Sequence, residues 1–180
     1  MSNQASLYQQ YKPTIVFIAK FAFIYLVLAG LYALYIGSFA GKTDSLTRFV
    51  GKSVSAVYRF LGTEAQTIPL ENESGLKLIL NGNYLARIVE GCTAASVIIM
   101  FIAFVISFGN KMKQSLAFAI VGSVLIFAFN IIRIVFLGYI LHVAPQYQDI
   151  SHRVLFPAMI YGFVILLWIV FIKKWNPDAK

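Results

Sequence analysis

The sequence predicts an all-α polytopic membrane protein, a bundle of four transmembrane helices with a small polar insertion. The chain is 59% hydrophobic and only 12% charged, a balance typical of multi-pass membrane proteins and wrong for a soluble domain. Long uncharged runs recur along it. Its formal net charge of +8 lies in the segments around these runs, so lipid headgroups and topology explain it without nucleic acid, and no DNA- or RNA-binding motif is present.

Four apolar runs are predicted to cross the membrane, at residues 14–36, 92–108, 115–141 and 153–172. The first is too long for a removable signal peptide and lacks a small-residue cleavage site, so we expect a permanent span. The second is short. The third, at about 1.5 Å per residue, is longer than the ~30 Å hydrocarbon core. We therefore expect residues 1–180 to form a single membrane domain.

Basic residues predict the orientation of these spans. In the short flanks of the spans, lysines lie near the N-terminus, in the tight loop 109–114 and at the C-terminus: Lys12, Lys20, Lys111, Lys113, Lys173, Lys174 and Lys180. The short loop before the fourth span has only Arg153. The insertion 37–91 holds six further basic residues, which we discount because most lie far from span ends or on an amphipathic face. Because lysine and arginine favour the cytoplasmic side, both termini and the tight loop are predicted to be cytoplasmic. The insertion 37–91 is then extracytoplasmic.

The insertion is predicted to contain an amphipathic helix followed by a small β-meander. Apolar residues recur at helical spacing from Leu46 to Leu61, with basic residues on other faces. Such a helix either lies at the membrane interface or packs on the bundle, and the sequence favours neither. Residues 66–70, 76–80 and 84–89 are predicted strands on the outer face. Asn81-Gly82 between the last two is a good hairpin signal.

The only cysteine of the chain, Cys92, lies where the insertion meets the second span, in the stretch 90–96 with the sequence Glu-Gly-Cys-Thr-Ala-Ala-Ser. A single cysteine excludes an internal disulfide and a cysteine-clustered metal site, and we expect no metal and no cofactor. The thiolate is the nucleophilic form of cysteine, and a helix N-terminus favours it. Alone, however, a cysteine in an apolar chain is more often a small packing residue.

Two further polar residues are predicted to lie at the membrane depth of Cys92. Arg133, about 27 Å along the third span from Ser115, is near its outer boundary, and Asn130 shares its helical face. His152 begins the fourth span on that side. Each also has a structural interpretation: Arg133 could pair with Glu90 or a backbone carbonyl, and His152 could cap its helix.

Two nearby residues are weaker candidates. His142, at the outer end of the third span, is a competing base with nothing else to recommend it. For Glu90 we favour a structural role, as an acceptor of helix N–H groups or a partner of Arg133 or Arg87.

Together these residues suit acyl transfer. Cys92 would attack a peptide carbonyl, Arg133 would favour the thiolate and stabilise the oxyanion, and His152 would act as general acid and then as base. Asn130 would orient Arg133 or the substrate. No aspartate is placed to complete a triad of the soluble-protease type.

In the motif around Cys92, in Asn130-Ile-Ile-Arg133 and in the downstream His152, the sequence resembles the exosortase/archaeosortase family, and most closely the exosortase F type. The motifs stand in the family's order on successive spans and cover roughly the last half of the chain, although Ala94 stands where the family usually has glycine. The resemblance implies a membrane cysteine transpeptidase with Cys92 as nucleophile, Arg133 as electrostatic partner and His152 as acid and base.

The same resemblance implies the substrates and the location. The substrates would be exported proteins with a C-terminal sorting signal, made of a short motif, a transmembrane helix and a basic tail. The enzyme would act at the periplasmic face of the inner membrane.

Two other classes of function compete with an enzyme. A non-catalytic membrane scaffold or assembly protein would use Arg133 as a structural contact and leave Cys92 inert. A small transporter is disfavoured, because the spans contain neither paired acidic residues nor a broken-helix repeat.

Overall fold

The computed structural model describes the backbone of residues 2–71, 73–143, 146 and 150–175, and the side chains of these residues except 2–8 and 152. Its elements follow in chain order: α1 (Ser2–Gly37), α2 (Ser45–Phe60), β1 (Ala65–Pro69), β2 (Leu76–Leu80), β3 (Asn83–Ile88), a 3-10 turn (Glu90–Thr93), α3 (Ala95–Phe108), α4 (Met112–Val143), a π-helical turn (Ser151–Leu155), α5 (Phe156–Val170) and a second π-helical turn (Phe171–Trp175).

The apolar helices form an antiparallel bundle. Phe17, early in α1, makes an edge-to-face contact with Phe108 at the end of α3, and Tyr32, late in α1, bonds to Glu90 just before α3. In the same bundle α3 packs on α4, and α4 packs on α5. We call the end that carries the sheet and the 3-10 turn the sheet end, and the end with the loop 109–111 the loop end.

Three described helical segments are long and apolar enough to cross a membrane: Gln9–Gly37, Met112–Val143 and Arg153–Trp175. They correspond to the first, third and fourth predicted spans. The predicted second span is shorter than expected, because α3 begins at Ala95 rather than at Cys92 and has 14 residues. A straight crossing needs about 20 residues, so α3 by itself does not confirm a fourth span.

The three strands pair as the predicted meander, in the order β1-β2-β3 with antiparallel neighbours. Asn81 and Gly82 both have positive φ, at 49° and 78°, as a two-residue type I′ hairpin turn requires. The Asn-Gly prediction is therefore confirmed. A bulge at Leu78/Ile79 shifts the register on the β2–β3 side.

The predicted amphipathic helix is α2, which begins after Asp44. The Asp44 carboxylate caps it by accepting the N–H of Thr47 at 2.9 Å. One face of α2 packs on the sheet and on α4, with Val50 and Val54 completely buried. Phe49, on the flank of that face, stacks on Phe127 of α4 with ring centroids 5.5 Å apart. The sequence left open whether this helix lies at the membrane interface or packs on the bundle, and in the structure it packs on the bundle.

Two hydrophobic clusters hold the fold together. One joins α2 and the sheet to α4 at the sheet end, and the other joins α3, α4 and α5 through the rest of the bundle. In the second cluster Phe101 is fully buried against Gly122, where any Cβ would overlap its ring. Half of the predicted loop 142–151, and the C-terminal Lys180, lie outside the described residues.

Candidate active site

Cys92 lies in a short 3-10 turn that precedes α3. The N–H of Cys92 donates to the Val89 carbonyl at 2.8 Å, and the Thr93 hydroxyl accepts the N–H of Ala95 at 3.3 Å. Between the turn and the helix, Ala94 adopts a left-handed conformation with φ of 59°. This break corrects the expectation that Cys92 occupies the first turn of the helix.

The charged residue that the structure places beside Cys92 is Arg133 of α4. Its side chain is half-buried and borders the same cavity as the half-buried, free thiol of Cys92, close enough for the two groups to interact electrostatically. The guanidinium carbon also lies 5.9 Å from the ring centre of Phe156, within the range of a cation–π contact. The two residues that the sequence placed at one depth are therefore brought together laterally.

Asn130 connects α4 to the turn through the backbone rather than through Arg133. Its side-chain amide is completely buried, and Nδ2 donates to the carbonyl oxygen of Cys92 at 2.8 Å. Since Asn130 and Arg133 lie three residues apart on one helix, this bond also sets the position of the turn relative to the guanidinium. The predicted orienting residue thus holds the backbone of Cys92. Its Oδ1 is buried without a partner among the described atoms.

Glu90 pairs with Tyr32 rather than with Arg133 or Arg87. Its carboxylate accepts a hydrogen bond from the Tyr32 hydroxyl of α1 at 2.7 Å. Arg87 instead forms an ion pair with Glu73, and within the described part of the chain Arg133 forms no ion pair. The structural role expected for Glu90 therefore takes the form of a brace between α1 and the Cys92 turn, which leaves Arg133 available to the cavity.

Cys92 and Arg133 border a partly open cavity of about 430 Å³, within the size range of ligand-binding sites. Its wall is mainly apolar and comes from β2, the end of β3, the turn, α4 and the start of α5: Leu78, Ala86, Arg87, Ile88, Val89, Gly91, Ile134, Leu137, Gly138, Phe156 and Pro157. A cysteine and an arginine at the border of an apolar cavity would suit a reaction at a carbonyl group.

His152, the third predicted catalytic residue, is only partly covered by the described atoms. Its backbone lies in the π-helical turn Ser151–Leu155, and its side chain lies outside the described residues. This turn leads directly into Phe156 and Pro157 at the cavity wall. Single π-helical turns are rare and frequently occur at functional sites. The role of His152 stays a prediction. His142, the competing candidate, is exposed near the end of α4.

Residues that sequence reasoning missed complete the surroundings of the site. Tyr32 holds Glu90, Phe156 faces the guanidinium, and the Tyr58 hydroxyl of α2 donates to the Val135 carbonyl of α4 at 2.6 Å. Gly138 admits this contact, because a Cβ there would overlap the Tyr58 hydroxyl. Of these residues only Phe156 has a signal in the sequence, because it precedes Pro157 and lies about one turn after His152.

No protein-family model, curated protein or solved structure matches this chain.

Proposed function

We propose that this chain is a membrane-embedded cysteine peptidase or transpeptidase, similar to exosortases and archaeosortases, that cleaves C-terminal sorting signals of exported proteins through a thioester on Cys92. One observation carries the proposal: Cys92 and Arg133, far apart in sequence, border the same apolar cavity. The ordered sequence motifs around Cys92, Arg133 and His152 support it independently.

The proposed reaction has two steps. The thiolate of Cys92 attacks the scissile carbonyl carbon, and the Arg133 guanidinium stabilises the negative charge that develops on the oxygen. The C–N bond then breaks, His152 protonates the leaving amine, and an acyl thioester remains on Cys92. In the second step His152 removes a proton from water or another nucleophile, which attacks the thioester and releases the thiolate. Asn130 keeps the Cys92 backbone in position throughout.

The proposed topology places the sheet end outside and the loop end inside the cytoplasmic membrane. Lys111, Lys113, Lys173 and Lys174 all lie at the loop end, as the positive-inside rule requires. Both termini are then cytoplasmic, the site faces the periplasm, and α3 with its flanking turns forms a short fourth span. The exposed Phe60 and Leu61, 90% and 63% accessible at the end of α2, would rest at the lipid interface beside Arg59.

The proposed substrates are exported proteins whose C-terminal signal combines a short motif, a transmembrane helix and a basic tail. Their basic tail would match the cytoplasmic side, and the peptide before their helix would emerge at the depth of Cys92. Membrane lipid surrounds both partners. The reaction as proposed requires no cofactor and no nucleic acid.

A trapping experiment in membranes tests the proposal. The chain would be produced as His152→Ala together with co-resident exported proteins that carry such signals, and peptides containing Cys92 would be analysed by mass spectrometry. Because loss of His152 slows both acylation and thioester hydrolysis, the native chain quenched in acid is analysed beside His152→Ala, and we expect an acyl fragment of a substrate on Cys92 in at least one of the two. The Cys92→Ala variant, checked for membrane insertion, is the matched control and should show neither adduct nor substrate processing.

A non-catalytic scaffold is the second candidate, and one observation favours it. Cys92 packs against the hydrophobic cluster at the sheet end, and Asn130 donates to the carbonyl of Cys92 rather than contacting its thiol. Both contacts are what a purely structural turn would make. A scaffold would tolerate both Cys92→Ala and Cys92→Ser. Unchanged substrate processing in these variants, with no adduct in the trap, would decide for the scaffold.

A further inference from the structure

The cavity beside Cys92 borders the edge of β3 as well as part of one face of the sheet, where it meets Leu78 of β2. Successive side chains of a strand point to opposite faces, so a cavity on one face meets every second residue. This cavity borders four consecutive residues instead, 86–89, which are the end of β3 and the residue after it. It therefore reaches the strand edge, and its lining continues to Gly91 and Cys92.

That edge has no strand partner in the part of the chain that the structure describes. The order β1-β2-β3 leaves β3 on the outside of the sheet, with β2 on its other edge. An unpaired edge presents N–H and C=O groups that can pair with another extended chain. Across the cavity stand apolar side chains of α4 and α5, among them Ile134, Leu137 and Phe156.

The edge is also held in place before any ligand binds. Ile88 is almost completely buried, and the side chain of Arg87 is tied to the β1–β2 connection, where it donates to the Ser74 carbonyl at 3.0 Å and pairs with Glu73. A strand fixed in this way loses little conformational freedom when a peptide pairs with it, which favours binding.

The geometry points to strand addition as the way in which the substrate binds. The peptide segment next to the scissile bond pairs with residues 86–89 as a fourth strand, over about 13 Å at ~3.3 Å per residue. Its scissile carbonyl then lies at the Cys92 end of the cavity. Alternate side chains of the segment face Ile134, Leu137 and Phe156, so the site selects small apolar residues at those positions. This inference rests on the proposed function, since it supplies the substrate's binding mode.

Peptide probes that alkylate the single cysteine test this binding mode without requiring turnover. Acetyl-Val-Ala-Val-Ala chloromethyl ketone is allowed to react with the full chain in detergent or nanodiscs, and the Cys92 thiolate displaces chloride to form a C–S bond. Four further probes each carry one N-methyl group on a different backbone amide. Labelling rates are measured by intact-protein mass spectrometry, with Cys92→Ser as the control for specificity.

The expected result is a two-residue alternation. Methylation of amides that face β3 should lower the labelling rate about tenfold, because each removes a backbone hydrogen bond and blocks close approach, whereas methylation of the intervening amides should change it less than about twofold. Equal rates for all probes, or a uniform decrease, would overturn strand addition. Iodoacetamide separates the two proposals. If iodoacetamide labels Cys92 but the peptide probes show no alternation in rate, only strand addition is rejected. If neither iodoacetamide nor the peptide probes label Cys92, the nucleophilic thiol itself is rejected.

Discussion

Replacement of Asn130 by leucine would test whether the link between α4 and the Cys92 turn matters for catalysis. Leucine has a similar shape but cannot donate to the Cys92 carbonyl, so the 2.8 Å bond is lost. An unsatisfied buried acceptor costs about 1–3 kcal/mol, and removal of the partnerless Oδ1 offsets part of this cost. We therefore expect a net destabilisation of about 1 kcal/mol, which corresponds to a decrease of about 2–4 °C in the unfolding midpoint for a chain of this length.

The effect on activity should be larger than the effect on stability. The bond sets the position of the Cys92 turn relative to Arg133, and misplacement of reacting groups by about 1 Å can cost on the order of a hundredfold in rate. The unfolding midpoint in detergent and the rate of substrate processing would be measured for Asn130→Leu and compared with those of Ser123→Ala, with a substrate that the trapping experiment has identified. Ser123 lies on the same helix, half-buried, and donates only within α4, to the Ala119 carbonyl at 2.7 Å. If Asn130→Leu behaved like Ser123→Ala in both assays, the positioning argument would be refuted.

Three further changes test other parts of the site. Arg133→Lys keeps the charge but not the planar, delocalised guanidinium, so substrate processing should fall at least about tenfold with little change in the unfolding midpoint; full activity would argue against an oxyanion role. Gly138→Ala should destabilise the chain by about 1–3 kcal/mol, because the new Cβ overlaps the Tyr58 hydroxyl, whereas Gly162→Ala, with open space around it, should not; equal unfolding midpoints for the two variants would contradict this packing. Burial raises the pKa of Tyr58 to about 12 from an unfolded value near 10, so its contribution to stability is complete below pH 10 and is lost as the pH rises through 12. The difference in unfolding midpoint between the native chain and Tyr58→Phe should therefore shrink over that pH interval, and a constant difference would count against the buried, neutral phenol.

Local chemistry explains which parts of the fold were predictable. The apolar runs predicted the membrane class and the three long apolar helices, because partition of a long uncharged helix into the bilayer depends mainly on its composition. Asn81-Gly82 predicted its hairpin turn, because few other residue pairs tolerate two positive φ angles. The start of α3 was missed, because the left-handed Ala94 and the hydroxyl of Thr93 divide an apolar run that shows no break by composition.

The sequence by itself determined the chemical groups of the candidate site and the order in which the chain presents them. Spans of alternating direction also brought Cys92 and Arg133 to a common depth, since that follows from helix length. Lateral proximity depends on how helices pack, and only the tertiary structure decided it: Cys92 and Arg133 border one cavity, Asn130 donates to the Cys92 carbonyl, and Tyr32 donates to Glu90. These contacts join residues dozens of positions apart, and shape complementarity between helices, which no local pattern encodes, selects them.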